Sequence, residues 1–365
     1  MLTPWLEAFP RTASAVVDEI DSTLGYKLSA VIEGGPSRAL TETRNAQPAI
    51  MATSVLILRV LEAEFGFRPF ADRRVDVALG HSLGEFSALV AAGVLRFPDA
   101  LRICARRADA MAQATATARA AHGGAADYGM VAIVTEPEYL EGLVAAVEEF
   151  RRAGSGSAAA KEEGREVHVA NVNSKNQIVL SGDLGRIREL VAHVRQFLGH
   201  DPRAVRLNSD DTPFHSPVMR PAVEVMRELL AGRSEAPGVA DGADIVQFPG
   251  AVECISNVTA RPFGSAEEVR DLLARQCLET VRWWDSIRYL DQERRVRRWL
   301  GIGPGYVGRN LVGKEVGMRG ADSVKGGGVW AITDPVEIED VLRELEKTEA
   351  LTEEEQQQEQ EGAQQ

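Results

Sequence analysis

The sequence predicts an α/β fold in two parts: a large domain built on a mostly parallel sheet flanked by helices, and a small domain inserted into it. Three observations carry this. Short apolar, β-branched runs alternate with amphipathic stretches up to residue 124 and again from 209 to 348, the pattern of a sheet covered on both faces. Residues 125–208 instead read strand, helix, strand, strand, helix, strand, the β-α-β-β-α-β order of a ferredoxin-like unit. Finally, VDVALG (75–80) ends in Gly and runs into a helical stretch from Gly84, so a buried strand feeds a helix through a very short turn.

Taken in order, residues 4–20 have the spacing of an amphipathic helix. Gln47 and Pro48 open a second helix, with Pro at the first helical position, where its missing N–H costs nothing. That helix runs to about residue 64 and is apolar on most sides, which places it in the core. Helices follow at 84–92 and 98–114. In the small domain, strands are expected at 128–134, 166–173, 177–182 and 203–209, helices at 136–150 and 183–198, and a polar loop at 154–164. The α/β rhythm resumes with a helix at 218–230, a strand at 252–258 and helices at 265–278 and 281–292. Strands at 297–302 and 329–332 and a helix at 335–347 complete it. Residues 349–365 form a Glu/Gln tail with little to bury, and disorder is expected there.

Composition narrows the function classes. Hydrophobic residues make up 44% and charged residues 26% of the 365, ordinary values for a globular enzyme. No apolar run approaches the ~18 residues a membrane span needs. Net charge is −13, and five Glu in residues 351–365 leave the rest near −8. That argues against a nucleic-acid partner, because phosphate binding needs clustered Lys and Arg. Cys104, Cys254 and Cys277 are few, odd in number and without CxxC spacing, so neither a disulfide framework nor a zinc site is expected. No metal and no resident cofactor is expected. The first 20 residues carry acids among their apolar positions and do not read as a signal or transit peptide.

The chemistry starts at Gly80-His81-Ser82-Leu83-Gly84, a G-x-S-x-G pentapeptide between a strand and a helix. A sharp turn there lifts the serine side chain to the sheet edge, and both glycines are expected to remove Cβ atoms that would clash. The Leu83 N–H, at the helix N-terminus, is the natural donor to an oxyanion formed at Ser82. The plain alternative is a strand-to-helix turn with no chemistry, since Gly and Ser are common in turns.

A serine nucleophile needs a base. Of the six histidines, His81 sits within the turn with its ring directed away, His122 lies in a Gly/Ala loop, and His168 alternates with valines on a strand. His193 and His200 belong to a helix and its end. His215, in the loop PFHSP (213–217), has a modest lead because catalytic side chains concentrate on such loops. Arg107 falls one turn from Ile103 and Met111 on the inward stripe of its helix, whereas Arg106 faces out. An inward arginine at a pocket rim suggests a bound carboxylate. The stretch 303–308 fits G-x-G-x-x-G, but Pro304 and the lack of a following acidic strand end favour a tight strand-to-helix turn over a dinucleotide site.

Beyond these residues, NAQPAI (45–50), GHSLGEFSALVAAGVL (80–95), RRADAM (106–111), NVNSKNQIVLSG (171–182), PFHSPVM (213–219), SNVTARPF (256–263), RQCLETVRWWDSI (275–287) and GIGPGYVGRNL (301–311) occur in one order. Together they resemble the malonyl-CoA:acyl carrier protein transacylases and the acyltransferase domains of fatty-acid and polyketide synthases, whose large domain is hydrolase-like. The resemblance implies Ser82 as nucleophile, His215 as its base and Arg107 as the holder of the malonyl carboxylate. It implies that the Gln276 backbone carbonyl orients His215, and that Phe214 crowds an α-methyl group and so favours malonyl. It also implies malonyl-CoA and holo acyl carrier protein as partners, a monomer, and no cofactor beyond the coenzyme A thioester.

The sequence departs from the family at two places. Ala108 stands where a Gly usually follows the arginine, and the chain begins where the family already has a first strand and a Gly-Gln-Gly-x-Gln loop behind it. A missing strand and a missing oxyanion donor are therefore expected. The termini and the 154–164 insert look most like mitochondrial fungal members, which implies the mitochondrial matrix; the alternative is the cytoplasm. Two rival readings stand beside the transferase: a serine hydrolase or thioesterase using the same elbow, and a remnant that binds without turnover.

Overall fold

The computed structural model describes residues 1–72, 74–124, 126–154, 166–197, 201–208, 210–317 and 327–363, so the expected loop at 154–164 lies almost wholly outside the described residues. The chain opens with helices α1 (Thr3–Ala8), α2 (Pro10–Leu24), α3 (Leu28–Gly34), α4 (Ser37–Thr41) and α5 (Thr43–Phe65). The single helix expected over 4–20 is two, split at Phe9 because Pro10 cannot donate to a preceding turn. The helix expected to open at Gln47 starts at Thr43 instead. Pro48 sits inside it and forgoes only the bond back to the Arg44 carbonyl. α5 buries Ala49, Met51, Leu56, Ile57, Val60 and Leu61, as its apolar circumference requires.

Strand β1 (Val77–Ala78) leads through the pentapeptide to α6 (Gly84–Ala91) and α7 (Phe97–Ala121). The small domain follows as β2 (Tyr128–Val134), α8 (Leu140–Gly154), β3 (Val167–Ser174), β4 (Gln177–Asp183), α9 (Leu184–Phe197) and β5 (Arg203–Arg206). Its antiparallel sheet has the order β3-β4-β2-β5, the ferredoxin-like arrangement. Ile133, Ile178 and Leu180 from one sheet face pack on Val147, Leu190 and Val194 from the two helices.

The chain returns through α10 (Arg220–Ala231), β6 (Glu253–Cys254), α11 (Ala266–Arg275) and α12 (Trp283–Arg288), the last continuing into a π turn. It ends with β7 (Arg298–Ile302), α13 (Val307–Val316), β8 (Gly328–Ile332) and α14 (Ile338–Ala363). β1 pairs in parallel with β6, and β7 in parallel with β8. Among the described residues these are two separate two-stranded pairs, where one larger parallel sheet was expected.

The strands expected at 75–80 and 252–258 shrink to two residues each for a local reason. After Ile255 N–H donates to the Ala78 carbonyl (3.0 Å), the ladder gives way to a side chain. Asn257 Nδ2 donates to the Gly80 carbonyl (2.7 Å), and its Oδ1 accepts from the Ser82 N–H (2.6 Å). The last helix also differs: it does not stop at 347 but runs to Ala363. Glu, Gln and Ala are strong helix formers and need no apolar face to favour the backbone conformation.

The main core joins α1, α2, α5, α6, α7, α10 and α11 through Trp5, Val16, Leu56, Phe86, Leu101, Met226 and Leu273. β3 ties the small domain to it. Val172 N–H donates to the Val281 carbonyl (3.0 Å), Val281 N–H to the Ala170 carbonyl (2.8 Å), and Thr280 Oγ1 to the Val169 carbonyl (2.7 Å). The small domain is thus fastened to the large one a few residues after Gln276, the C-cap of α11.

Candidate active site

The pentapeptide forms the turn its spacing requires. Ser82 has φ +51°, a left-handed conformation costly for a residue with a Cβ. A Cβ on Gly80 would lie 1.9 Å from the Gly84 carbonyl oxygen, so only glycine fits there. The expectation for Gly84 is corrected: a Cβ there meets nothing within 4 Å. Gly84 supplies backbone against which Gly80 packs, and its own lack of a side chain relieves no clash.

Ser82 and His215 come together from loops 133 residues apart. Ser82 Oγ lies 2.7 Å from His215 Nε2. His215, like Ser82, is in the left-handed region, at φ +56°. Its Nδ1 faces two carbonyl oxygens, Gln276 at 2.7 Å and Glu279 at 3.2 Å. Two acceptors there require the proton on Nδ1, so Nε2 carries the lone pair and accepts from the serine hydroxyl. Burial pushes His215 down to about 3, helped by the Arg107 charge and opposed by the Gln276 carbonyl. The ring is therefore neutral at rest.

Arg107 is buried to 2% exposure on α7. Its NH1 donates to Gln47 Oε1, its NH2 donates to Gln276 Oε1 (2.8 Å), and the guanidinium lies 5.6 Å from the Phe86 ring centre. Its Nε, also buried, has no hydrogen-bond partner among the described residues. None of their carboxylates forms an ion pair with it. A buried cation in that condition is costly and waits for an anion. Ala108 is fully buried beside it and sits without difficulty in the helix.

The other expected residues take their places. The Leu83 N–H meets no acceptor among the described residues, whereas the Ser82 N–H is already engaged by Asn257. Phe214 packs against both the main core and Met130, Ala132, Ala170 and Val179 of the small domain, at the seam beside His215. His81 points away from the nucleophile, with Nε2 2.9 Å from Asn173 Oδ1 and its ring edge-on to Trp283. His168 is taken by Glu166. The glycine-rich stretch 303–308 is the turn from β7 into α13.

Three residues escaped the reading of the sequence: Gln47, Glu85 and Asn257. All lie inside the stretches that carried the resemblance, but their polar side chains gave no periodic signal of burial. Glu85 is 1% exposed. Its Oε1 accepts from the Asn257 N–H (2.8 Å) and its Oε2 from Gln276 Nε2. Burial raises it to about 8, against those two hydrogen bonds and the Arg107 charge, which pull the other way. Gln276 was expected to act through its backbone alone. Its side chain also donates to the Ser82 carbonyl (2.8 Å).

Comparison with known proteins finds relatives over nearly the whole chain. The acyl transferase domain profile matches residues 6–145. The malonyl CoA-acyl carrier protein transacylase of Bacillus subtilis is 35% identical over 92% of this chain and 90% of its own length. Among solved structures, the acyl-carrier-protein S-malonyltransferase of Bartonella henselae superposes with a TM-score of 0.73 at 31% identity, over 94% of each chain. A type II polyketide malonyl-transacylase, solved in complex with its acyl carrier protein, gives 0.71 at 28% identity over 92% of each chain. A relative this similar over nearly its full length settles the kinship: the chain belongs to the malonyl-CoA:acyl carrier protein transacylase family.

Proposed function

We propose that this chain moves a malonyl group from malonyl-CoA to the phosphopantetheine thiol of an acyl carrier protein, through an ester on Ser82. The observation that carries the reading is the unneutralised, buried Arg107 one amide away from a serine already bonded to a neutral histidine. A hydrolase elbow has no need of a cation there; a substrate with a free carboxylate does.

In the first half-reaction Ser82 Oγ attacks the thioester carbon and its proton passes to His215 Nε2. The two carbonyl oxygens on Nδ1 hold the resulting imidazolium. The oxyanion meets the Leu83 N–H at the start of α6, where the helix dipole adds to it. The tetrahedral centre collapses, the C–S bond breaks, and His215 returns the proton to the leaving sulfur. In the second half the carrier thiol gives its proton to His215 and attacks the ester, and Ser82 Oγ is reprotonated as it leaves. Ser82 and His215 supply every proton transfer, so no cofactor beyond the coenzyme A thioester is involved.

Arg107 serves twice. It clamps the malonyl carboxylate, and its charge is one cause of the depressed basicity of His215, which a bound carboxylate offsets. Phe214, at the seam next to His215, leaves little room for an α-methyl group. Arg107→Ala is expected to lower kcat/KM for malonyl-CoA by about 10²-fold, the loss of a bidentate charged contact, and to leave acetyl-CoA nearly unaffected. Equal losses for both thioesters would remove the clamp from the account.

The resemblance of the terminal segments to mitochondrial fungal members supports a location in the mitochondrial matrix, and the same reading makes the chain a monomer. Imaging of a tagged copy checks the first and light scattering the second.

A further inference from the structure

We propose that Glu85 is a positioning residue of this site: its carboxyl group sets the direction of the Gln276 amide and, through it, holds the Arg107 clamp and the nucleophile turn. The proposal rests on the transferase reading above. It goes beyond it by giving a role to a buried acid that no step of the reaction uses.

Hydrogen-bond direction fixes the Gln276 amide. Gln276 Nε2 donates to two acceptors, Glu85 Oε2 and the Ser82 carbonyl, while Gln276 Oε1 accepts from Arg107 NH2. Reversed, the amide would set its NH2 against a guanidinium N–H and its oxygen against two acceptors. Glu85 excludes that state from the far end. A carboxyl group accepts at both oxygens whether or not it carries a proton, because a hydroxyl oxygen keeps a lone pair. It can therefore take the Asn257 N–H on one oxygen and Gln276 on the other. Asn257 in turn grips the Gly80 carbonyl and the Ser82 N–H. One side chain thus fixes both supports of the elbow. The Gln276 residue whose amide it directs also offers its backbone carbonyl to His215.

A glutamine at 85 has the same shape but only one accepting end. Satisfying Asn257 turns its NH2 toward Gln276 Nε2. Gln276 is then driven to flip, and the conflict arrives at Arg107. A merely structural acid would, on replacement, lower turnover of every thioester alike. A positioning acid acting through Arg107 is selective for the substrate with a carboxylate.

The experiment compares kcat/KM for malonyl-CoA and acetyl-CoA in wild type, Glu85→Gln, Gln276→Ala, the double variant and Arg107→Ala. Glu85→Gln is expected to lose at least ~10-fold for malonyl-CoA, the scale of a charge-assisted hydrogen bond misdirected, and much less for acetyl-CoA. The double variant should be no worse than Gln276→Ala, because the two residues act in series. Equal losses for both thioesters, or full additivity in the double variant, would overturn the proposal. If Glu85→Gln does not fold, Glu85→Asp replaces it; Asp keeps both acceptors but draws them back from Gln276, and the same selectivity is expected. Arg107→Ala separates the two claims. Should it fail to discriminate the thioesters, the transferase clamp itself is wrong. Should it discriminate while Glu85→Gln does not, only the role of Glu85 falls.

Discussion

His215, the proposed base, is set by few contacts. Its two Nδ1 acceptors decide the tautomer, and burial with the nearby Arg107 charge keeps the ring unprotonated down to about 3. The base form is thus essentially complete by pH 5. Malonyl loading in single turnover is therefore expected to show no acid limb between pH 5 and 7. A limb centred near 6.5, the ordinary imidazole value, would show that His215 is not held as described. At this scale the sequence was informative about identity and poor about partnership. The glycine spacing singled out Ser82, and a place on the inward stripe of α7 singled out Arg107, which the structure does bury. His215 stood out only by lying on a loop, and its role came with the resemblance. Gln47, Glu85 and Asn257 were invisible as functional groups, because a buried polar residue is recognisable only by the partner that satisfies it; Arg107 is 60 residues from Gln47, and Gln276 is 191 from Glu85.

The turn between β1 and α6 is the element on which the site depends, and its two glycines are not equivalent. Gly80→Ala must push a methyl group into the Gly84 backbone, and a loss of more than about 3 kcal/mol of stability is expected, a value typical of severe backbone clashes. Gly84→Ala adds a Cβ to open space at the first turn of a helix, and a change within about 1 kcal/mol is expected. Urea denaturation of the two variants checks the contrast; similar losses would mean the turn is not built this way. Long periodic elements were legible in advance. β2 is found at 128–134, where the apolar run YGMVAIV was expected to form a strand, and α6 starts at Gly84. The short parallel strands were overestimated because apolar, β-branched runs look alike whether a ladder or a single Asn side chain satisfies the backbone. The tail was read as disordered from composition, which reports what can be buried and not what can coil.

For the molecule as a whole, the two shifted groups of the site pull stability in opposite directions with pH. His215 binds its proton less tightly folded than unfolded, so its contribution is present above about 6.5 and is lost as pH falls toward 3. Glu85 binds its proton more tightly folded than unfolded, so its contribution is present below about 4.5 and is lost as pH rises through about 8. Thermal melting of wild type should therefore decline between pH 6.5 and 8 more steeply than that of Glu85→Gln, which has no proton to lose. Parallel declines would mean that Glu85 is ionised throughout. The separate packing of the small domain was legible from the change of rhythm near residue 125. The fastening of β3 to Val281 was not, because an isolated backbone pairing across 110 residues leaves no trace in composition.

The central claim is a covalent malonyl group on Ser82 that passes to a thiol. It is tested most directly by intact-protein mass after mixing with malonyl-CoA, beside a Ser82→Ala control, followed by addition of holo acyl carrier protein. The account predicts a malonyl adduct on wild type, none on the control, and its rapid discharge onto the carrier. An adduct that water removes equally fast with or without carrier would make the protein a hydrolase, and a folded protein that forms no adduct would contradict the nucleophile itself.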